Sequence, residues 1–268
     1  MKFMKKNYIA CLLLVLLFSI SSTAEPKINP TTGAVQENLK NTQIPARSLS
    51  FKSDSFEKVE MLHASGLLQI TNSLETNIAK LDILNEVSLE YCEVEYKIVN
   101  KTLYISTEKK IFVIKNNCTQ NLNFYLQENK KIAVSLGTGI VKVKGVFPSL
   151  DLNLGSGEVN IQGKVSKLNL DVASGSVTVS GLDGYGKITL LSGDLDIKYD
   201  KKAEGKFNQL HVSKSVGNTR IQVPKGARTE SKLKTLFGHI TNQTTESDTG
   251  KFYFSVQTNV GDITMDTY

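Results

Sequence analysis

Several residue types are scarce or missing in this 268-residue sequence. It has no tryptophan, three histidines and three cysteines. His63, His211 and His239 lie far from one another along the chain, so no cluster has the spacing of a metal site. Enzymes that act on polysaccharides stack sugar rings on aromatic side chains, and the absence of tryptophan argues against that class. The sequence predicts no catalytic site, no metal and no cofactor.

Basic clusters and long apolar runs are also scarce. No group of Lys and Arg with interleaved aromatics is present, so nucleic acid is not an expected partner. The apolar run over residues 9–18 follows three lysines and precedes small residues at 22–24, which predicts a secretory signal peptide cleaved after Ala24. Cleavage lowers the formal charge from +6 to +3, because residues 1–24 hold three lysines and no acids. Cys11 precedes most of the apolar run, whereas a lipidated cysteine should follow it.

The signal peptide predicts that the remaining chain is exported to the periplasm or the cell surface. No second apolar run has the length of a membrane-spanning helix, so the mature chain has no predicted transmembrane segment. Residues 25–50 are polar, contain three prolines and show no sustained periodicity, which predicts a flexible linker. The folded domain is expected to begin near Phe51 and to cover residues 51–268.

Two cysteines, Cys92 and Cys118, remain after cleavage. An even number of cysteines in an exported chain predicts a disulfide. The bridge would close the loop between these two positions, which on the chain-entropy model contributes roughly 3–4 kcal/mol.

An internal repeat covers most of the domain. The segments LGTGIVKVKG (136–145), LGSGEVNIQG (154–163) and VASGSVTVSG (172–181) align without gaps, and LLSGDLDIKY (190–199) follows at the same step. After residue 200 the spacing loosens and becomes uneven. The aligned glycines are Gly66, Gly139, Gly157, Gly175, Gly193, Gly217, Gly238 and Gly261.

The residues around each glycine alternate between apolar and polar. The second and fourth positions after it are mostly apolar, as in Val159 and Ile161, and the third is polar, as in Asn160. A second alternating segment, such as residues 150–154, precedes most of the glycines. Two short strands joined at a glycine corner, in a repeat of about 18 residues, predict an all-β fold that stacks as a β-solenoid. An antiparallel β-sandwich is the alternative, whereas a β-propeller is disfavoured because its repeats run to roughly 40 residues or more.

One segment, residues 74–130, fits the repeat poorly, which predicts an irregular insert stabilised by the disulfide. Regular repeats are expected to follow over residues 131–268. Alternation over residues 94–98 and 103–105, with turn residues between them, predicts a hairpin.

The glycine corners in GSGEVNIQG, ASGSVTVSG and LSGDLDIKY, with ASGLLQITN and EVEYKIVNKTLYIS before them, resemble the bacterial DUF4097 family of adhesin-like proteins. The likeness covers about residues 56–268. It implies an extracytoplasmic β-solenoid, with adhesion suggested by name and no catalytic residues defined. The inward Thr219 and Asn242 depart from the family's repeat pattern.

Three sets of polar residues are candidate sites, and two of them have a simpler structural explanation. The residues that follow the glycines form a row that could bind a metal ion. The row mixes carboxylates with serine, asparagine and histidine and lacks the sequence signature of calcium-binding coils, so solvent-exposed corner residues are the preferred interpretation. Asp194 and Asp196 have the spacing of paired carboxylates for acid/base catalysis. Outward lysines would attract anionic polymers, although solvation explains them equally well. The row is Glu158, Ser176, Asp194, Asn218, His239 and Asp262, and the lysines are Lys142, Lys144, Lys164, Lys167, Lys198, Lys201 and Lys202.

Two functions follow as hypotheses. The first is a non-enzymatic, adhesin-like module whose polar solenoid face binds an envelope polymer or protein. The second is a periplasmic structural or envelope-stress scaffold that binds a partner protein through the insert or the last coils. A long uninterrupted charged face would favour the first, and an exposed apolar patch at one end of the stack would favour the second. The sequence does not identify the binding residues.

Overall fold

The computed structural model describes residues 46–72, 77–84, 92–109, 119–201, 203, 207–247 and 251–268. The predicted signal peptide, residues 25–45 of the predicted linker and the predicted disulfide lie outside the described residues, since Cys118 is not among them. Within the described part, a 3-10 turn at Ser53–Ser55 precedes the second of sixteen strands. The strands are β1 Arg47–Lys52, β2 Lys58–Asn72, β3 Ile78–Ile83, β4 Cys92–Val99, β5 Thr102–Lys109, β6 Leu122–Leu126, β7 Lys131–Lys144, β8 Ser149–Ser192, β9 Leu195–Tyr199, β10 Asn208–Val216, β11 Thr219–Val223, β12 Arg228–Phe237, β13 Ile240–Asn242, β14 Thr245–Glu246, β15 Phe252–Val260 and β16 Ile263–Thr267.

The strands stack as a β-solenoid. β7 and β8 pair in parallel with an offset of one sequence repeat, so that Gly139 lies opposite Gly157 and Val141 opposite Val159. β2 joins the other side of β7 in the same register, with Gly66 opposite Gly139. This parallel stacking of equivalent segments is the architecture that the sequence repeat predicts, and it differs from the antiparallel sandwich that was the alternative.

Each coil contributes one segment before its corner glycine and one after it. We call the stacked segments before the glycines the first ladder and those after them the second ladder. Inward side chains of both ladders form the core, including Leu152, Val159 and Ile161, which are at most 3% exposed. Because side chains alternate along a strand, the residues between them face outward, and each coil covers the apolar rows of its neighbours.

The strands β3 to β6, which come from the segment 74–130, lie at the N-terminal end of the stack. β5 pairs in parallel with the first half of β2, and β6 with its second half. β4, β3 and β1 add antiparallel strands outside them. β4 and β5 form the expected hairpin, whose turn at Asn100 and Lys101 has φ of 49° and 57°, as in a two-residue hairpin loop. β1 begins at Arg47, within the segment for which the sequence predicted a linker.

The last coils do not stack in chain order. β15 pairs with β10 on one side and with β12 on the other, and β16 likewise lies between β11 and β13. The chain therefore builds the outermost coil with residues 228–242 and then returns to fill the gap with residues 252–267. Within the described residues, no helix is long and apolar enough to span a membrane.

Candidate functional site

The corner glycines form one continuous row along the stack. All eight have positive φ, from 116° at Gly217 to 151° at Gly238. A Cβ atom at any of them would lie within about 2.2 Å of a backbone oxygen of the adjacent coil. The row runs in the order Gly217, Gly261, Gly238 at the C-terminal end, because of the reversal of the last two coils.

The polar row after the glycines satisfies backbone groups of neighbouring coils. Asp194 Oδ1 accepts a hydrogen bond from the Asn218 N–H (2.8 Å), and Asn218 Oδ1 accepts one from the Asp262 N–H (3.1 Å). Asp262 Oδ1 in turn accepts from the His239 N–H (2.8 Å). Glu158 and Ser176 are exposed on the regular coils. Among the described residues, no group of three His, Cys, Asp or Glu side chains is arranged to hold a metal ion. The observed role of the hydrogen-bonded part of the row is to connect coils.

The two carboxylates considered for acid/base chemistry have structural neighbours. Asp194 belongs to the hydrogen-bonded row, and Asp196 lies in β9 opposite Arg220 of β11. Arg220 also binds Asp266 of the next coil, at 2.8 Å. Charged side chains on successive coils therefore pair across the outer side of the second ladder.

Among the described residues, the outward lysines do not stack in one row, since Lys142 lies opposite Asn160 and Lys144 opposite Gln162. Lys164 pairs with the buried Asp183 (3.1 Å), and the ammonium group of Lys198 lies 3.8 Å from the centre of the Tyr268 ring. Lys142, Lys144, Lys167 and Lys201 are exposed, and Lys202 lies outside the described residues.

His63 is a buried, neutral core residue. Its Nε2 lies 3.0 Å from the Gln120 carbonyl oxygen, and its Nδ1 lies 2.9 Å from Thr107 Oγ1. Since a carbonyl only accepts hydrogen bonds, Nε2 carries the proton and Nδ1 accepts from the Thr107 hydroxyl. Burial lowers the pKa of His63 to about 4, because desolvation disfavours the charged imidazolium.

Lys214 is an unusual inward residue of the first ladder. It pairs in register with the core residue Leu190 on one side and with Thr258 on the other, and it is 3% exposed. Its ammonium group donates to the Asn218 carbonyl oxygen and lies 3.4 Å from Thr219 Oγ1. Burial lowers the pKa of Lys214 to about 8, an effect that the negative charge of Asp194 partly opposes. Lys214 and Thr258 thus place polar groups in a core row that is apolar at Leu190.

A shallow groove lies on the outer side of the first ladder at its N-terminal end. Its volume is about 490 Å³, and its polar lining includes Glu60, Glu95, Lys97 and Asp151. The Lys97 ammonium group lies 5.7 Å from the centre of the Tyr104 ring. Charges of both signs line this groove, with three carboxylates, Glu60, Glu95 and Asp151, against one ammonium group, Lys97.

An aromatic patch lies on the same outer side at the C-terminal end. We define it as Tyr185 of β8, His211 of β10 and Tyr253 of β15. The His211 ring centre lies 6.1 Å from that of Tyr185 and 6.0 Å from that of Tyr253. Gln209 pairs in register with both tyrosines, and its side-chain amide donates a hydrogen bond to His211 Nε2 (2.6 Å).

Basic side chains flank the aromatic patch. Lys187 lies directly opposite His211 on the neighbouring segment and is exposed. Lys232 of β12 is exposed, and its ammonium group lies 5.6 Å from the centre of the Tyr253 ring. The patch therefore combines aromatic faces, hydrogen-bond donors and positive charge on one surface.

The alternation of residues 210–212 predicts that His211 faces outward, because it lies between the inward Leu210 and Val212, but it does not reveal the patch. Tyr185 and Tyr253 are distant from each other in the chain, and the reversed order of the last coils brings them to either side of β10. A signal was present, because Tyr185, Gln209 and Tyr253 each lie eight positions before a corner glycine. Alignment on the glycines would therefore have placed all three in one row.

Comparison with known proteins identifies the family. The profile of the Toastrack DUF4097 family matches residues 27–267. A comparison with curated proteins found no significant match.

Solved structures similar to this chain include three bacterial proteins. A "putative cell adhesion protein" from Clostridium sporogenes has 16% identity and a TM-score of 0.36, over 83% of this chain and 99% of its own. A "putative adhesin" from Bacteroides fragilis has 14% identity and a TM-score of 0.37, over 83% and 96%. A "putative lipid binding protein" from Parabacteroides distasonis has 11% identity and a TM-score of 0.42, also over 83% and 96%. With its matching profile and its stack of glycine-cornered coils, the chain belongs to the Toastrack DUF4097 family.

Proposed function

We propose that this protein is an exported, non-enzymatic module of the bacterial cell envelope that binds a polymer or protein through the outer side of its first ladder. The observation that carries the proposal is the composition of that side. From the N-terminal groove to β12, outward positions present charged, amide and aromatic side chains, such as Glu60, Asn169, His211 and Lys232. The inward positions are mostly apolar and serve the core. Such a surface is rigid and extended, which favours recognition of an extended ligand.

Export is proposed from the signal-peptide pattern over residues 1–24. Cell fractionation, together with protease treatment of intact cells, tests the location. Degradation on intact cells, with a periplasmic marker protected, supports a surface-exposed adhesin-like module. Protection together with release by osmotic shock contradicts surface adhesion and directs the search to periplasmic partners. Retention in the cytoplasm contradicts export itself.

Binding is tested with isolated envelope fractions. The purified protein is expected to co-sediment with these fractions in a saturable manner. Absence of saturable binding to any envelope fraction contradicts the proposed function.

A second candidate, a scaffold that binds an envelope protein, is favoured by one observation at the C-terminal end. The residue before the corner glycine is Ser or Thr in the coils up to Ser192, but it becomes Val216, Val260 and Phe237 in the last three. These three residues lie opposite one another in register and are 47%, 44% and 72% exposed. A photo-crosslinking residue in place of Phe237 is expected to crosslink a specific protein. The same residue in place of the exposed Thr178, on a regular coil, is expected not to crosslink that protein. Identical products from both positions contradict the scaffold function.

A further inference from the structure

The aromatic patch is the feature outside the repeat scaffold with the most specific chemistry. Its rings come from three different coils, and the sheet fixes their spacing. Tyr185 and Tyr253 lie two strands apart, which at roughly 4.8 Å per strand places their backbones about 10 Å from each other. This span exceeds one pyranose ring, so a ligand that contacts both tyrosines has to be extended across the strands.

The chemistry of the patch matches a sugar polymer. Pyranose rings present a face of C–H groups that packs on an aromatic ring, while their hydroxyls require hydrogen-bond partners. Tyr185, His211 and Tyr253 supply rings that are partly exposed, and the phenol, imidazole and Gln209 amide groups supply polar atoms beside them. The side chains are supported by a β-sheet and by one another, so little conformational entropy is lost on binding.

The charge of the patch selects among sugar polymers. Lys187 and Lys232 flank the rings and are exposed, and Arg228 and Lys234 extend the basic surface along β12. Glu230, the one acidic residue of β12, lies opposite Tyr253, so the basic residues outnumber it four to one. The N-terminal groove of the same ladder instead carries charges of both signs. An excess of positive charge attracts a polymer with carboxylate or sulfate groups, with an affinity that falls as salt increases.

We infer that the aromatic patch, with Gln209, Lys187 and Lys232, is a binding site for an anionic polysaccharide. The chain lies across β8, β10 and β15, with sugar rings against Tyr185 and Tyr253 and acidic groups near the two lysines. The inference rests on the proposed binding function and names its ligand class and site.

The test uses the full-length processed protein and two polymers, polygalacturonate as the anionic probe and dextran as the neutral one. Affinity electrophoresis in gels that contain either polymer gives the dissociation constant at low and at physiological salt. The wild-type protein is expected to bind polygalacturonate at least tenfold more tightly than dextran. Tyr253→Ala and the double variant Lys187→Gln/Lys232→Gln are each expected to weaken binding at least tenfold.

The matched control is Tyr125→Ala. Tyr125 is a partly exposed tyrosine of β6 on the second ladder, and it lies opposite a lysine, Lys80, of β3. Its removal is expected to change binding less than twofold. Circular dichroism melts of all variants verify that the fold is intact, which is expected because these side chains face outward.

The outcomes separate this inference from the proposed function. Equal binding by wild type and Tyr253→Ala, or equal losses in Tyr253→Ala and Tyr125→Ala, overturns the site. Failure to bind either polymer, while the protein still co-sediments with envelope fractions, overturns the ligand class and leaves the proposed function standing. Failure in both assays overturns the two together. Binding that depends on the lysines but not on the tyrosine indicates a nonspecific electrostatic contact and also overturns the site.

Discussion

The row of corner glycines makes a strong prediction about stability, and Gly157 is the best position to test it. Gly157 has φ of +136°, and a Cβ atom there would lie 1.7 Å from the carbonyl oxygen of Gly139 in the preceding coil. Gly157→Ala therefore imposes two costs. The backbone conformation is strained for any residue with a side chain, and the two coils have to separate at the corner.

The two costs can be estimated separately. A non-glycine residue in this backbone region costs about 1–3 kcal/mol. Relief of the overlap costs about 1–3 kcal/mol more as overpacking, because the contacting atom belongs to the backbone of the adjacent coil. The expected loss is therefore about 2–6 kcal/mol, a large part of the roughly 5–15 kcal/mol that typically stabilises a native domain.

Gly226→Ala is the matched control, because Gly226 has φ of +87° but no atom within 4 Å of the added Cβ. It should lose only the strain contribution, about 1–2 kcal/mol. Urea unfolding followed by circular dichroism gives the two free energies of unfolding. Hydrogen exchange at the 139–157 corner is measured in parallel, because a solenoid can open coil by coil. Equal losses in the two variants would refute the close approach of coils as the reason for glycine at the corners.

Three further predictions concern buried polar groups. The free energy of unfolding should fall by about 3 kcal/mol as the pH is lowered from 6.5 to 4. In this range His63 is protonated in the unfolded state but stays neutral in the folded state, where its pKa is about 4. His63→Gln should flatten that part of the pH profile in urea titrations, and an unchanged slope contradicts the assignment. Lys214→Met should raise the unfolding free energy at pH 7 by about 1–3 kcal/mol, since a buried ammonium is replaced by an apolar chain of similar length. The gain should shrink as pH rises above about 8, where folded Lys214 becomes neutral, and a gain independent of pH up to 10 argues against burial as its cause. Tyr199→Phe should leave the free energy of unfolding unchanged or raise it by about 1 kcal/mol. The Tyr199 hydroxyl is buried with no hydrogen-bond partner among the described residues, whereas its ring packs against Phe252 and Phe254 and is kept in the variant. A clear loss of stability in thermal melts contradicts this prediction.

The regular part of the fold was predictable because one pattern determines it. A glycine at a constant spacing, with apolar residues at fixed positions around it, specifies the corner, the strand and the inward face together. The parallel registers of β7 and β8 follow that spacing residue by residue. The expected hairpin at Asn100 was similarly local, because alternation and turn residues lie next to each other in the sequence.

The two ends of the stack were not predictable from the repeat. At the N-terminal end, β5 and β6 stack on β2 although no corner glycine marks them. At the C-terminal end, the chain skips one position and then returns to it with β15. Both arrangements depend on long-range pairing between strands, and the residues that pair show the same alternation as every other strand. The alternation in these segments is therefore compatible with strands, but it does not give their order in the stack.

The candidate site was missed for the same reason. Periodicity placed His211 on the outer side of its strand, but its contacts with Tyr185 and Tyr253 depend on which coils are neighbours. Lys214 was missed because a lysine within alternating sequence is normally assigned to the exposed face. In the structure it occupies a core row and finds acceptors in Asn218 and Thr219 at the corner.

The departures from the repeat coincide with the features that distinguish this chain from a plain scaffold. In the regular coils, core positions are apolar and the position before the corner glycine is Ser or Thr, as at Ser156. In the last coils each preference has exceptions, with Lys214 in a core row and Phe237 exposed at the corner. Local rules are typically broken where function requires it, and the cost is met by the stability of the surrounding structure. The regular coils supply that stability, so the C-terminal coils, which also carry the aromatic patch, are where binding specificity is expected to lie.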